Sequence, residues 1–210
     1  QRATMTTTVK RTIATSCVAL ITTLLPGLSW AAAQDAATAE ALFQDARGLM
    51  ENGNFKEACP KLEESRKLDP AMGTLLYLGE CYENLGKTAS AWAVFQTAAD
   101  QLAREAPKSA RAKQAAARAK ALAANLLKLT VTVAQEARVP GLQVTRDGAE
   151  IGEATWGVAM PIDPGEYTIT ARAPGKQKWV QKLTVAPGAK ATTVTIERLS
   201  DEPKAAPLAH

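Results

Sequence analysis

Six positions recur along this chain at a spacing of 33 residues: Leu42, Ala46, Leu49, Gly53, Ala58 and Leu62 return as Leu75, Gly79, Tyr82, Gly86, Ala91 and Phe95. Self-similarity at such a period marks a repeat architecture built from one supersecondary unit. Inside each copy the apolar positions keep helical spacing and a glycine breaks the run. In the first copy Leu42, Ala46 and Leu49 form one stripe, and Asn52-Gly53 ends the helix with a residue that tolerates a left-handed conformation. Asn54 with Glu57 predicts a capping box that restarts the helix, and Phe55, Ala58 and Leu62 form the facing stripe. Ala46, Ala58, Gly79 and Ala91 stand where two antiparallel helices approach most closely. The pattern predicts two helix-turn-helix hairpins over residues 34–106.

The residues that carry this pattern resemble the tetratricopeptide repeat. The second copy reads Leu78-Gly79-x-x-Tyr82 and Ala91-x-x-x-Phe95, and the first keeps Ala46, Ala58, Leu62 and a closing Pro70. Leu42 and Leu75 stand where the family's first aromatic is usual, Leu49 and Leu62 replace aromatics, and Ala103 takes the place of the second closing proline. The resemblance implies a groove lined by the first helix of each hairpin. The matching positions are Phe43, Arg47, Met50 and Glu51, then Leu76, Glu80, Glu83 and Asn84. One arginine, several acids and apolar stems suit a basic or mixed peptide. The alternative is that these side chains face water or touch a basic helix of the same chain.

The start of the chain does not look like part of that fold. Lys10 and Arg11 precede an apolar run from Thr12 to Leu25, followed by Pro26-Gly27 and Trp30-Ala31-Ala32-Ala33. This is the three-part layout of a secretory signal, so residues 1–33 are predicted to be a signal peptide cleaved after Ala33, with Met5 as the start residue. The mature protein is then periplasmic, secreted or held at the cell surface, with no membrane span. An uncleaved anchor is the alternative, disfavoured by a short run interrupted at Thr22, Thr23 and Pro26. Cys17 comes too early for a lipoprotein.

Removal of Arg2, Lys10 and Arg11 leaves 22 basic against 21 acidic residues, so net charge supports no nucleic-acid partner. The remaining charge is uneven: residues 34–103 hold 6 basic and 11 acidic groups, and residues 104–128 hold 7 and 1. A solvated helix face accounts for this, although such a face also attracts acidic polymers. Export leaves Cys59 and Cys81, in helices expected to touch, in a compartment where disulfides persist. They are either a disulfide or two small buried thiols.

No catalytic or metal constellation is legible. The lone histidine is His210, there is no Cys-x-x-Cys, no Gly-x4-Gly-Lys loop, and Glu63-Glu64 point different ways on a helix. Neither an enzyme nor a cofactor is expected.

Residues 107–128 predict a capping and connecting helix, alanine-rich, with Ala110, Ala117, Leu122 and Leu126 inward and Arg111, Lys113, Arg118 and Lys120 outward. From Leu129 the period turns to alternation, at Val131 and Val133, Leu142 and Val144, Trp156 to Ile162, Tyr167 to Ala173, Leu183 and Val185, and Val194 and Ile196. Asp147-Gly148 and four Pro-Gly pairs separate the runs. With 46% hydrophobic residues and only 5% aromatics, any core here rests on Val, Ile, Leu and Ala. About seven short antiparallel strands over residues 129–199 predict a small β-sandwich. Val144-x-x-Asp147-Gly148 and Pro164-Gly165-x-Tyr167-x-Ile169-x-Ala171-x-Ala173-Pro174-Gly175 are similar to the bacterial PEGA domain, which implies an envelope accessory module. Trp156 and Trp179 are either core side chains or platforms that stack on sugar rings. Residues 200–210 read as a disordered tail.

The fold expected is therefore α+β and multidomain: tetratricopeptide-like hairpins with a capping helix, then an antiparallel β-sandwich. The function expected is a non-enzymatic envelope scaffold that binds a protein or peptide, with cell-wall polysaccharide binding through the sandwich as the alternative.

Overall fold

The spacing of Gly53 and Gly86 reappears as two matching helix ends. In the computed structural model, which describes residues 27–189 and 191–203, α1 (Gly27–Glu51) and α2 (Phe55–Leu68) form one hairpin, and α3 (Met72–Asn84) and α4 (Thr88–Glu105) the next. Gly53 and Gly86 both take positive φ, 76° and 70°. Behind them Asn54 N–H donates to Leu49 O at 2.8 Å and Lys87 N–H to Tyr82 O at 2.9 Å, closing the two carbonyl ends alike. The predicted capping box at Asn54 does not form, since its side chain caps nothing. Its backbone N–H is already engaged in ending α1, and its carbonyl accepts from both Glu57 and Ala58. The predicted signal lies outside the described residues over 1–26, together with Cys17, while Gly27–Ala33 form the start of α1.

Packing inside the helices depends on size more than hydropathy. A Cβ placed on Gly79 would meet the Phe95 ring at 2.7–2.9 Å, so α3 and α4 lie this close only because position 79 has no side chain. α5 (Ala110–Ala123), capped by the Ser109 hydroxyl, packs on α4 through Ala112, Ala115 and Ala119. Of the inward positions predicted for it, Ala110 and Ala117 are exposed and Leu122 and Leu126 are half-buried. In a helix that is mostly alanine, hydropathy does not tell one face from another, and the neighbouring helix decides. α2 and α3 are joined by a Cys59–Cys81 disulfide with Cα atoms 5.7 Å apart. The Tyr82 hydroxyl donates to Glu63 Oε1 at 2.8 Å across the same seam.

The chain becomes β at Leu127, two residues before the expected boundary. The strands are β1 (Leu127–Val133), β2 (Gln143–Arg146), β3 (Ala149–Glu150), β4 (Ala159–Ile162), β5 (Gly165–Arg172), β6 (Trp179–Val185) and β7 (Thr192–Ile196). They form a three-stranded sheet ordered β4-β1-β7 and a four-stranded sheet ordered β3-β2-β5-β6. Asp147 and Gly148, at φ 50° and 85°, make the two-residue turn between β2 and β3. Buried residues of both sheets, among them Val131, Val144, Ile169, Val185 and Ile196, belong to one apolar cluster. The region is not wholly antiparallel. β7 leaves the other sheet and enters beside β1 in the same direction, with Leu129 opposite Thr192 and Val133 opposite Ile196. The predicted disordered tail also begins too early. Leu199 is buried, Gln177 N–H donates to Ser200 O, and Glu202 N–H donates to Gly175 O. Residues 204–210, with His210, lie outside the described residues.

One carboxylate joins the helical and β regions. Asp163, between β4 and β5, accepts from Ala89 N–H at 2.8 Å and Ser90 N–H at 3.0 Å through Oδ1, and from the Ser90 hydroxyl at 2.6 Å through Oδ2.

Gly79→Ala separates two opposing effects. Helix propensity favours alanine by up to about 1 kcal/mol, whereas over-packing a buried site costs roughly 1–3 kcal/mol. With Phe95 only 3% exposed, the ring has nowhere to move. The expected outcome is a net loss of about 1–2 kcal/mol, read from the denaturant midpoint; a midpoint at or above wild type would show that the helices separate freely. Reduction of the disulfide, which closes a sequence separation of 22, is expected to cost about 3 kcal/mol. Denaturation with and without reductant, alongside a Cys59→Ala, Cys81→Ala chain insensitive to reductant, measures it.

Candidate interaction surface

The outward side of α3 holds Tyr77, Glu80, Glu83 and Asn84, because its opposite side is committed to the interior through Leu75, Leu78, Gly79 and Cys81. Its two borders meet different helices. On the α1 side, Phe43 and Tyr77 pack edge to face at 5.2 Å between centroids and 84° between planes. The Arg47 guanidinium lies 5.9 Å from the Phe43 centroid and 5.4 Å from that of Tyr77. This places a cation on two aromatic faces. Its other partners are distant, with Gln44 Oε1 at 3.5 Å and Glu51 Oε1 at 3.9 Å, and its Nε is shielded from solvent without a hydrogen-bond partner among the described residues. The donors of the guanidinium are thus held in place and little used.

On the α5 side, Arg118 Nη2 stands 3.4 Å from Glu83 Oε2, and its guanidinium lies 5.9 Å from the Phe95 centroid. Among the described residues Glu83 Oε2 has no hydrogen-bond partner, so the pair with Arg118 is held by charge and is open to exchange for a better-oriented partner. Between the borders, Glu80 is exposed, and Asn84 spends its amide on the Glu80 carbonyl at 2.9 Å. The result is a strip with a cation at each border and a carboxylate at its centre.

The structure brings Phe43, Arg47, Glu80, Glu83 and Asn84 onto or beside this strip. Met50 and Leu76 are half-buried against the helical core and offer it only part of their surface. Two members were missed as groove residues. Tyr77 lies three and seven residues before Glu80 and Asn84, a helical spacing that was there to be read. Arg118 comes from α5, so its contact with Glu83 is an instance of the alternative in which groove residues touch the basic helix; which cation would meet which acid had no local signal.

Trp156 and Trp179, the candidate sugar platforms, are both half-buried and pack against the β-region core. The Trp156 indole N–H donates to Ile151 O at 3.1 Å, and Arg138 lies 5.6 Å from its ring. Among the described residues no group of His, Cys, Asp and Glu is arranged to hold a metal ion, and no helix is long and apolar enough to cross a membrane.

Behind the strip, on the seam with α2, burial pushes the Tyr82 phenol well above its usual range, and the hydrogen bond to Glu63 adds to the shift. No family model matches this chain, and no curated protein matches it.

A raised phenol fixes the sign of a pH effect. Below the ordinary value of 10.0 both folded and unfolded chains hold the proton; above it the unfolded chain releases the proton while the folded one keeps it, so stability is lost as pH rises. Wild type should therefore lose stability more steeply than Tyr82→Phe between about pH 9 and pH 11. Parallel denaturation curves across that range check it, and equal slopes would contradict it.

Proposed function

We infer that the chain is an exported, non-enzymatic protein of the bacterial envelope whose helical unit presents the α1–α3–α5 strip to a protein or peptide partner. The two hairpins are read as tetratricopeptide-like repeats with α5 as their cap, and the β region as a PEGA-like sandwich that serves as an accessory module. The observation that carries this reading is the alternation of charge along the strip: Arg47 braced on Phe43 and Tyr77, then Glu80, then Glu83 with Arg118. Such an arrangement suits a peptide of mixed charge, because braced ionic groups lose little freedom on binding. Export is supported by the layout of residues 1–33 and by the Cys59–Cys81 disulfide, a bond that persists in oxidising compartments. Glycan binding through Trp156 and Trp179 ranks second, since both rings already serve the β-region core.

The test uses cells that carry the full chain with a photo-crosslinker at Glu80 or, as control, at Gln181 on β6. A discrete protein adduct from position 80, absent from position 181 and lost with Arg47→Ala, is the expected result. Adducts confined to position 181, or shifted in mass by a glycan hydrolase, would replace this reading with the polysaccharide one. The intact mass of the recovered chain should place its first residue at Gln34.

A further inference from the structure

Away from the helical strip, two clefts adjoin along β4. The first, about 230 Å3, opens where β3 and β4 end their respective sheets, and Leu129 and Val131 of β1 also line it. The second, about 350 Å3, lies at the joint between the start of α4 and β4, with Trp92 and Tyr167 in its walls. Arg146, Met160 and Pro161 line both, so the two clefts meet at these side chains as one interrupted trough.

Its walls combine two unusual exposures. Val158 at 47% and Met160 at 42% are large apolar side chains standing in solvent. Arg146 has no ion-pair partner among the described residues, only the Tyr167 ring 6.0 Å from its guanidinium. The nearby acids keep their charge but have oxygens engaged elsewhere: both Asp163 oxygens accept from α4, and Asp147 Oδ1 accepts from Thr168 N–H. Glu150, exposed on the first cleft, sets the polarity of the trough by opposing a negative charge there.

We propose that this trough binds an amphipathic monocarboxylate, an apolar chain whose carboxylate takes the Arg146 guanidinium while its body lies along Met160, Val158 and Leu129. A guanidinium whose donors make no ion pair is open to bidentate contact with a carboxylate, and convergent apolar walls supply the remaining affinity. An added peptide strand is the other occupant an exposed sheet edge invites. Pro161 argues against it, because a residue without an N–H interrupts the ladder that such a strand needs.

The test is calorimetric titration of the full chain with decanoate kept below its micelle-forming concentration, with decanol and decanedioate as comparisons. Saturable binding of one decanoate per chain is expected, with decanol and decanedioate weaker. Arg146→Gln should weaken decanoate about tenfold or more, Arg146→Lys should recover part of the loss, and Met160→Ser should weaken decanoate and decanol alike. Thermal unfolding of each variant confirms that it is folded. Absence of saturation, equal affinity for decanol and decanoate, or an Arg146→Gln chain that binds like wild type would overturn the proposal, as would binding of extended peptides in place of decanoate. The helical strip takes no part, so either result leaves the crosslinking outcome at Glu80 unaffected.

Discussion

A helix begins with N–H groups that no residue of its own can satisfy, and α4 has no side-chain cap from its own sequence: Lys87 stands at the capping position and caps nothing. α5 solves the same problem locally with Ser109. α4 takes its cap from Asp163, 74 residues downstream of Ala89 and in the other region of the fold. Charge-assisted hydrogen bonds of this kind are each worth roughly 1.5–3 kcal/mol, and a carboxylate also answers the positive end of the helix dipole. The β4–β5 connection that carries Asp163 is fixed in turn by the Tyr167 hydroxyl, which donates to the Asp163 carbonyl at 2.8 Å. Two regions with separate apolar cores are thereby set at one angle, and the trough along β4 owes its second half to that angle.

Within the helical unit the ties are distributed unevenly. The disulfide and the Tyr82–Glu63 bond both lie on the α2–α3 seam, and the Phe95 ring locks α4 against Gly79. The outward side of α3 is left with a braced cation, an ion pair without a hydrogen bond and a free carboxylate. A scaffold fixed from behind holds a polar face steady without using that face for stability, and it leaves the residues there open to change at little cost to the fold.

What was legible in the sequence was local. Gly53, Gly86 and Asp147-Gly148 declare themselves because a left-handed residue or a two-residue turn is decided by its immediate neighbours. That α3 and α4 approach closely at Gly79 was legible from its small size, whereas the Phe95 ring that fills the space was not. Pairings between distant segments were not legible. Asp163 reads as an ordinary loop acid until α4 is placed beside it. The alanines of α5 that face inward are told from those that face water only by the neighbouring helix. The parallel partnership of β1 and β7 has no mark on either strand, because alternation fixes which side chains turn inward and says nothing of strand direction. Contact between the groove acids and the basic helix was open as an alternative, but nothing in the sequence marks Arg118 as the cation that meets Glu83. A helix read mainly as a solvated cap thus contributes one border of the candidate site.

The β1–β7 pairing also orders events in time. Each helix finds its main partner in the helix just before or after it, so the helical unit can assemble from local contacts alone. The first strand of the β region waits for the last, since one long edge of β1 has nothing to bond until Thr192–Ile196 arrive. Non-local pairings of this kind are slow to form and leave unpaired strands exposed in the interval. As the chain folds, a helical unit of local contacts therefore precedes an unfinished sheet, and the apolar residues of β1 most need shelter from neighbouring chains in that interval.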